Sequence, residues 1–156
     1  MSDMVILMNP AHKKCWGLVP DIMTRIARFA AEQDSETDGP MVARSWVQHF
    51  VCASEEMFVL AFVDLDEEEV FGHILAQRQE SFGAVSVFVM QYQLDRPIGR
   101  KLRSLGMDLL EAIARRLGAR KIVALCENPA VARAHRVYHG FEDWGTVVRR
   151  RVSEEA

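Results

Sequence analysis

Between Ala84 and Ala124 the chain reads as strand, loop, helix and strand in unbroken succession. Val85, Ser86, Val87, Phe88, Val89 and Met90 make an apolar strand, and Asp95, Arg96, Pro97, Ile98, Gly99, Arg100 and Lys101 make a loop. Leu102, Leu105, Leu109, Leu110, Ile113 and Leu117 then recur at helical spacing, and Gly118 stands where a helix C-cap belongs. Lys121, Ile122, Val123, Ala124 and Leu125 form a second apolar strand. A unit of this size predicts two parallel strands joined by a right-handed crossover. The helix must then cover one face of a sheet, which sets the fold class as α/β. A glycine-bearing loop at a helix start offers backbone N–H groups at the positive end of the helix dipole. Arg96, Arg100, Lys101 and Arg103 add fixed positive charge there. A phosphate-bearing ligand is the expected guest.

The remaining elements fit around that unit. Val5 to Met8 reads as a short first strand. Pro20 and Asp21 open a predicted helix through Glu32, with Ile22, Ile26, Phe29 and Ala30 on one face. A polar turn containing Asp38-Gly39-Pro40 leads to a second helix over Val42 to Ala53. Phe58 to Val63 and Val70 to Gln77, joined by the acidic turn Asp64 to Glu69, read as a hairpin. After Asn128 a helix is expected from Pro129 to Tyr138, broken by Gly140-Phe141, and then a last strand over Trp144 to Val152. The chain shows no internal repeat, low-complexity segment or linker, so one domain over residues 1–156 is expected.

Charge is unevenly distributed. Residues 1–95 hold 6 basic and 15 acidic residues, whereas residues 96–151 hold 13 basic and 5 acidic ones. A basic second half suits an anionic ligand and an acidic first half suits a cationic one. The apolar runs are too short to span a bilayer, and Met1 to Met8 lacks the features of a signal peptide. Cys15, Cys52 and Cys126 are odd in number and widely spaced, which fits small buried hydrophobes in a reducing, cytoplasmic setting. No metal is expected, because the five histidines form no ligand pair with cysteine at zinc spacing.

This order of elements resembles the GNAT superfamily of acyl-CoA N-acyltransferases over roughly the last two-thirds of the chain. Four pieces carry the resemblance. Phe58 to Val63 with Phe71-Gly72-His73-Ile74 resembles the central hairpin, and Ile98-Gly99-Arg100-Lys101-Leu102 the end of the pyrophosphate loop. Gly118-Ala119-Arg120-Lys121-Ile122 resembles the turn into the fifth strand, and Asn128-Pro129-Ala130 with Tyr138 and Gly140-Phe141 the C-terminal signature. The loop departs from the family pattern in either of two registers: Gly99 takes the second glycine's place, with Pro97 replacing the first and Leu94 replacing Gln/Arg, or it takes the first glycine's place, with Lys101 filling the last small position.

The resemblance implies a mixed, mostly antiparallel sheet with helices on both faces and a splay between the fourth and fifth strands. It implies acetyl-CoA as cosubstrate and an amine, small molecule or peptide, as acceptor. The diphosphate would be held between Arg96 and Leu102, chiefly at Ile98, Gly99, Arg100 and Lys101. The thioester carbonyl would meet a backbone N–H near Met90 or Gln91, the pantetheine arm would lie in the splay beside Met90, Gln91 and Tyr92, and Asn128 would line the cofactor. Tyr138 would protonate the thiolate, with Arg136 and His135 as other occupants of that place.

A general base is harder to name. No Asp or Glu lies between Val85 and Tyr92. Asp95 is close in sequence, and Glu80 or His73 would have to act through water. Two other readings stand beside the enzyme: a degenerate GNAT-fold protein that serves as a structural or interaction module, and a nucleic-acid binder built on Arg115, Arg116, Arg133, Arg136 and Arg149 to Arg151. The pI of about 6.0 and the lack of interleaved aromatics rank nucleic acid last. Oligomeric state stays open, a homodimer included.

Overall fold

The computed structural model describes residues 2–81, 83–126, 129–143, 150 and 152. The elements run β1 (Asp3–Leu7), α1 (Lys13–Gln33), α2 (Gly39–Val51), β2 (Met57–Asp64), β3 (Glu69–Ser81), β4 (Ala84–Leu94), α3 (Arg100–Arg116), β5 (Lys121–Ala124) and α4 (Pro129–His139). They fall into two compact units, residues 1–125 and 126–156.

The first unit is a five-stranded sheet in sequence order β1-β2-β3-β4-β5. The first three pairings are antiparallel, and β4 pairs β5 in parallel, Ser86 opposite Lys121 through Val89 opposite Ala124. The expected crossover is therefore present, with α3 as its helix. From Met57 to Val63, β2 is buried at every position, because apolar groups cover both of its faces. On one face Ile22 and Ile26 of α1 and Trp46 and Phe50 of α2 pack on Val59, Ala61, Val63 and Leu75. On the other, Leu110 and Ile113 of α3 pack on Leu60, Phe62, Ile74 and Val87.

Several elements begin or end beyond their sequence limits, and the reasons are plainest for α1, α2 and β4. α1 starts at Lys13, seven residues before the expected start, and carries Pro20 in its interior. An interior proline removes one helix hydrogen bond and crowds the preceding turn, at a cost of about 3 kcal/mol. Burial outweighs that cost, since Cys15 is 3% exposed and Leu18 and Val19 pack against the core. α2 starts at Gly39, because the Asp38 carboxylate accepts from the Met41 N–H at 3.0 Å and Pro40 fits the first turn. β4 runs on to Leu94, paired with β3 as far as Gly72.

The end of α3 follows the sequence closely. Gly118 has φ of +78°, its N–H bonds the Arg115 carbonyl, and the Ala119 N–H bonds the Ala114 carbonyl at 2.9 Å. That double bond is the Schellman closure that a glycine after a helix predicts.

The second unit holds α4. His135 is buried within it, with its ring 5.5 Å from His139 and 5.2 Å from Phe141. Gly140 takes φ of +69° directly after the helix. Most of the expected strand over Trp144 to Val152 lies outside the described residues.

Candidate functional site at the start of α3 and the bulge in β4

The loop from Asp95 to Gly99 is fastened at its first residue. The Asp95 N–H donates to the Phe71 carbonyl at 2.8 Å, and the Asp95 carboxylate accepts from Gln93 Nε2 and from Arg25. Arg25 reaches across from α1, donating also to the Val70 carbonyl and to Gln93 Oε1. Burial alone would lower the Arg25 guanidinium's pKa, yet Asp95 and Asp21 leave it raised. The hydrogen bond from Arg25 in turn holds the Asp95 carboxyl below its usual range. A carboxylate so paired is a poor general base.

Arg96 sits on the other side of the loop. Its guanidinium donates to Asp3 at 2.7 Å, lies 3.8 Å from Asp64, and covers the Phe71 ring at 4.1 Å. Its side chain thus ties the loop to Asp3 of β1 and Asp64 of β2. Ile98 anchors the loop from below by packing on the α3 side of the core.

The helix start itself is bare. Gly99, the N-cap residue, has extended backbone with φ of −70° and ψ of 164°, no side chain among the described residues caps the helix, and no acidic residue stands in its first turn. The first N–H groups of α3, those of Arg100, Lys101 and Leu102, have no intrahelical acceptor by construction. Arg100 and Lys101 are exposed, and among the described residues neither forms an ion pair. A Cβ built at Gly99 would meet nothing within 4 Å. Orphan donors, helix dipole, two cations and open space together fit a diphosphate.

The second half of the site lies in β4. Ala76 pairs Val89 and Leu75 pairs Gln91, so Met90 is an extra residue in the strand. The β4–β5 ladder also stops at Val89 and Ala124, while β4 continues beside β3. The strands therefore part company at the bulge. An extra residue turns both Met90 and Gln91 toward α1: Met90 packs against that side of the core, and Gln91 Nε2 donates to the Ile26 carbonyl at 3.2 Å. Tyr92 returns to the α3 side, packed on Phe62. Burial pushes its phenol pKa up, and the Arg103 charge partly opposes this.

The three sequence candidates for a base are each engaged. Asp95 pairs Arg25. Glu80 pairs Arg78 and stands opposite Val85, at the far end of β4 from the bulge. His73 is fully buried, with Nε2 2.8 Å from Gln91 Oε1. Burial pushes its pKa below the ordinary histidine value, against the hydrogen bond to Gln91.

Of the sequence-predicted positions, the first unit brings Ile98, Gly99, Arg100 and Lys101 to one helix start and Met90, Gln91 and Tyr92 to one bulged segment. Tyr138 lies on α4 of the second unit and is 64% exposed. Asn128 is outside the described residues. Arg25 had no sequence signal for this role, because Val70, Gln93 and Asp95 lie 45 to 70 residues away, and the local pair with Asp21 marks only a helix face.

No protein-family model matches the chain, and no curated sequence does. Solved structures do match it in shape. A probable acetyltransferase superposes with a TM-score of 0.68 at 9% identity, over 97% of this chain and 99% of that one. AAC(6')-Iy in complex with the bisubstrate analogue CoA-S-monomethyl-acetylneamine gives 0.65 at 13% identity, over 98% and 99%. Glucosamine-6-phosphate N-acetyltransferase from Arabidopsis thaliana gives 0.61 at 9% identity, over 98% and 100%. The chain has the GNAT fold.

Proposed function

We propose that this chain is an N-acetyltransferase that moves an acetyl group from acetyl-CoA to a primary amine by direct attack, with no covalent enzyme intermediate. The observation that carries the reading is the uncapped start of α3 with exposed Arg100 and Lys101, on the same strand–helix unit as the Met90 bulge. The solved structures of the same fold support it, one of them bound to a CoA-containing analogue and another acting on an amino sugar phosphate.

Acetyl-CoA would supply the activated thioester. The N–H groups of Arg100, Lys101 and Leu102 would bind its diphosphate, and Gly99 leaves room for the phosphate to approach. The splayed edge of β4 would hold the pantetheine amides as an added strand does. A backbone N–H at Met90 or Gln91 would polarise the thioester carbonyl, a donor fixed in advance where negative charge develops. Gln91 cannot take a proton near neutral pH, so the attacking amine would lose its proton to water. Tyr138 is the acid that the sequence resemblance names for the departing thiolate, and its role rests on that resemblance. The acidic composition of residues 1–95 favours a cationic acceptor, and we place the reaction in the cytoplasm. Among the described residues no helix is long and apolar enough to cross a membrane.

Thermal denaturation with acetyl-CoA tests the reading. A ligand at a hundred times its dissociation constant should add about 2.7 kcal/mol to stability. Gly99→Asp should remove most of that shift by setting an anion against the phosphate. No shift at millimolar acetyl-CoA would favour a structural or interaction role, and an equal shift in Gly99→Asp would put the phosphate elsewhere.

A further inference from the structure

A bulged residue gives up part of its ladder bonding, so something else must fix its backbone if that backbone is to serve as a preset donor. In β4 the neighbouring side chain is tied at both ends of its amide. Gln91 is 5% exposed and has both ends of its amide engaged. Its Nε2 donates to the Ile26 carbonyl, which settles the amide's orientation, because the reverse would set two oxygens face to face. Gln91 Oε1 therefore faces His73 Nε2 at 2.8 Å, and that ring nitrogen must carry the proton.

The consequence falls on the other ring nitrogen. His73 is 0% exposed, the Phe29 ring stands edge-on at 6.2 Å, and among the described residues Nδ1 has no hydrogen-bond partner. The charged groups that reach the ring electrically are Arg25 and Asp21 of α1 and Asp95 after β4. A leucine would remove the unmatched Nδ1 lone pair but orphan the buried Gln91 Oε1, so what the histidine contributes here is the bond it donates to Gln91. Its Nε2–H holds the Gln91 carbonyl oxygen while the Ile26 carbonyl of α1 holds the amide nitrogen.

We infer that His73 is a positioning residue for the β4 bulge: by donating to Gln91 it fixes the Met90 backbone, and so it governs turnover rather than cosubstrate affinity. The kinetic part rests on the acetyltransfer reading, and the structural part stands without it.

Amide hydrogen exchange at Met90, compared with Val87 in the paired part of β4, tests the structural part. His73→Leu and Gln91→Met should each speed exchange at Met90 roughly tenfold, the equivalent of one lost hydrogen bond, and leave Val87 unchanged. His73→Gln places an amide N–H where Nε2–H stood and should stay within about twofold of the wild type. CoA release from acetyl-CoA, with neamine as the acceptor, tests the kinetic part. His73→Leu should lower kcat roughly tenfold with KM for acetyl-CoA nearly unchanged, and His73→Gln should recover it. If His73→Leu does not fold, Gln91→Met decides. Unchanged Met90 exchange in a folded variant overturns the inference, as does a His73→Gln variant as impaired as His73→Leu. A wild type that binds no acetyl-CoA overturns the acetyltransfer reading instead, and the exchange result still decides this one.

Discussion

Gly39 and Gly99 are both glycines at helix starts, and the structure asks opposite things of them. A Cβ at Gly39 would lie 2.3 Å from the Ala27 carbonyl oxygen, a backbone atom that cannot swing aside. The two helices of the α1–α2 pair can approach this closely only without a side chain there. Gly39→Ala should therefore destabilise the fold by about 1–3 kcal/mol, as overpacking does, with the loss read from urea denaturation. A neutral result would mean that α2 can slide along α1. Gly99 meets no such wall, so its lack of a side chain matters for what approaches from solvent. Tyr138 belongs to the same scale. Tyr138→Phe removes one hydroxyl from an exposed ring, so it should leave stability within about 0.5 kcal/mol of the wild type. If the hydroxyl delivers the thiolate's proton, turnover should fall roughly a hundredfold or more, with acetyl-CoA affinity held. Full activity in Tyr138→Phe beside a dead Arg136→Ala or His135→Ala would move the acid to the neighbouring position.

Elements were legible where the local signal and the tertiary result coincide. The α3 leucines, Gly118 and the two strands flanking the helix specify their own structure, and the crossover follows from them. The β2–β3 hairpin was legible for the same reason. α1 was not: Pro20 resembles a helix start because proline favours the first turn, but Cys15, Leu18 and Val19 extend the buried stripe upstream of it. A test is direct. Pro20→Ala restores the missing N–H and should stabilise the protein by about 2 kcal/mol, the helix gain less the entropy returned to the unfolded chain, read as a rise in Tm. A fall in Tm would show that the helix is bent to fit the proline. The splay beside Met90 and Gln91 was expected through the family resemblance alone, and nothing in Val89-Met90-Gln91 announces the bulge. The bond between His73 and Gln91 spans 18 residues and depends on strand register, which a linear pattern does not reveal.

At the scale of the molecule, the four groups held below their ordinary values, His73, His135, Asp95 and Asp64, all lose stability as pH falls. Burial holds His73 and His135 below the ordinary histidine range, so the unfolded chain takes up those protons first as pH falls. Their contribution is complete above about pH 6.5, declines below it, and levels off under their folded values. Asp95, held down by Arg25, and Asp64, held down by the Glu67 N–H, add a second loss that begins near their unfolded value, about pH 4, and ends below it. Tm should therefore be flat from about pH 8 to pH 7 and fall steadily from pH 6 to pH 4. His73→Gln should flatten the upper part of that fall, and a Tm that rises on acidification would contradict the burial of both histidines.

The loop before α3 is held at its first two residues by partners far apart in sequence, Arg25 of α1 at Asp95 and, 93 positions from Arg96, Asp3 of the first strand. A partly exposed pair of that kind adds little to global stability, about 0–1 kcal/mol. Its effect is on timing. The sheet from β2 to β4 closes through neighbouring hairpins, but the Arg96 clasp waits for the first and middle parts of the chain to meet. Contacts of long sequence separation form late. A chain clipped after its first few residues would keep most of its core and lose the clasp, so ligand affinity, more than melting temperature, would report an intact amino terminus.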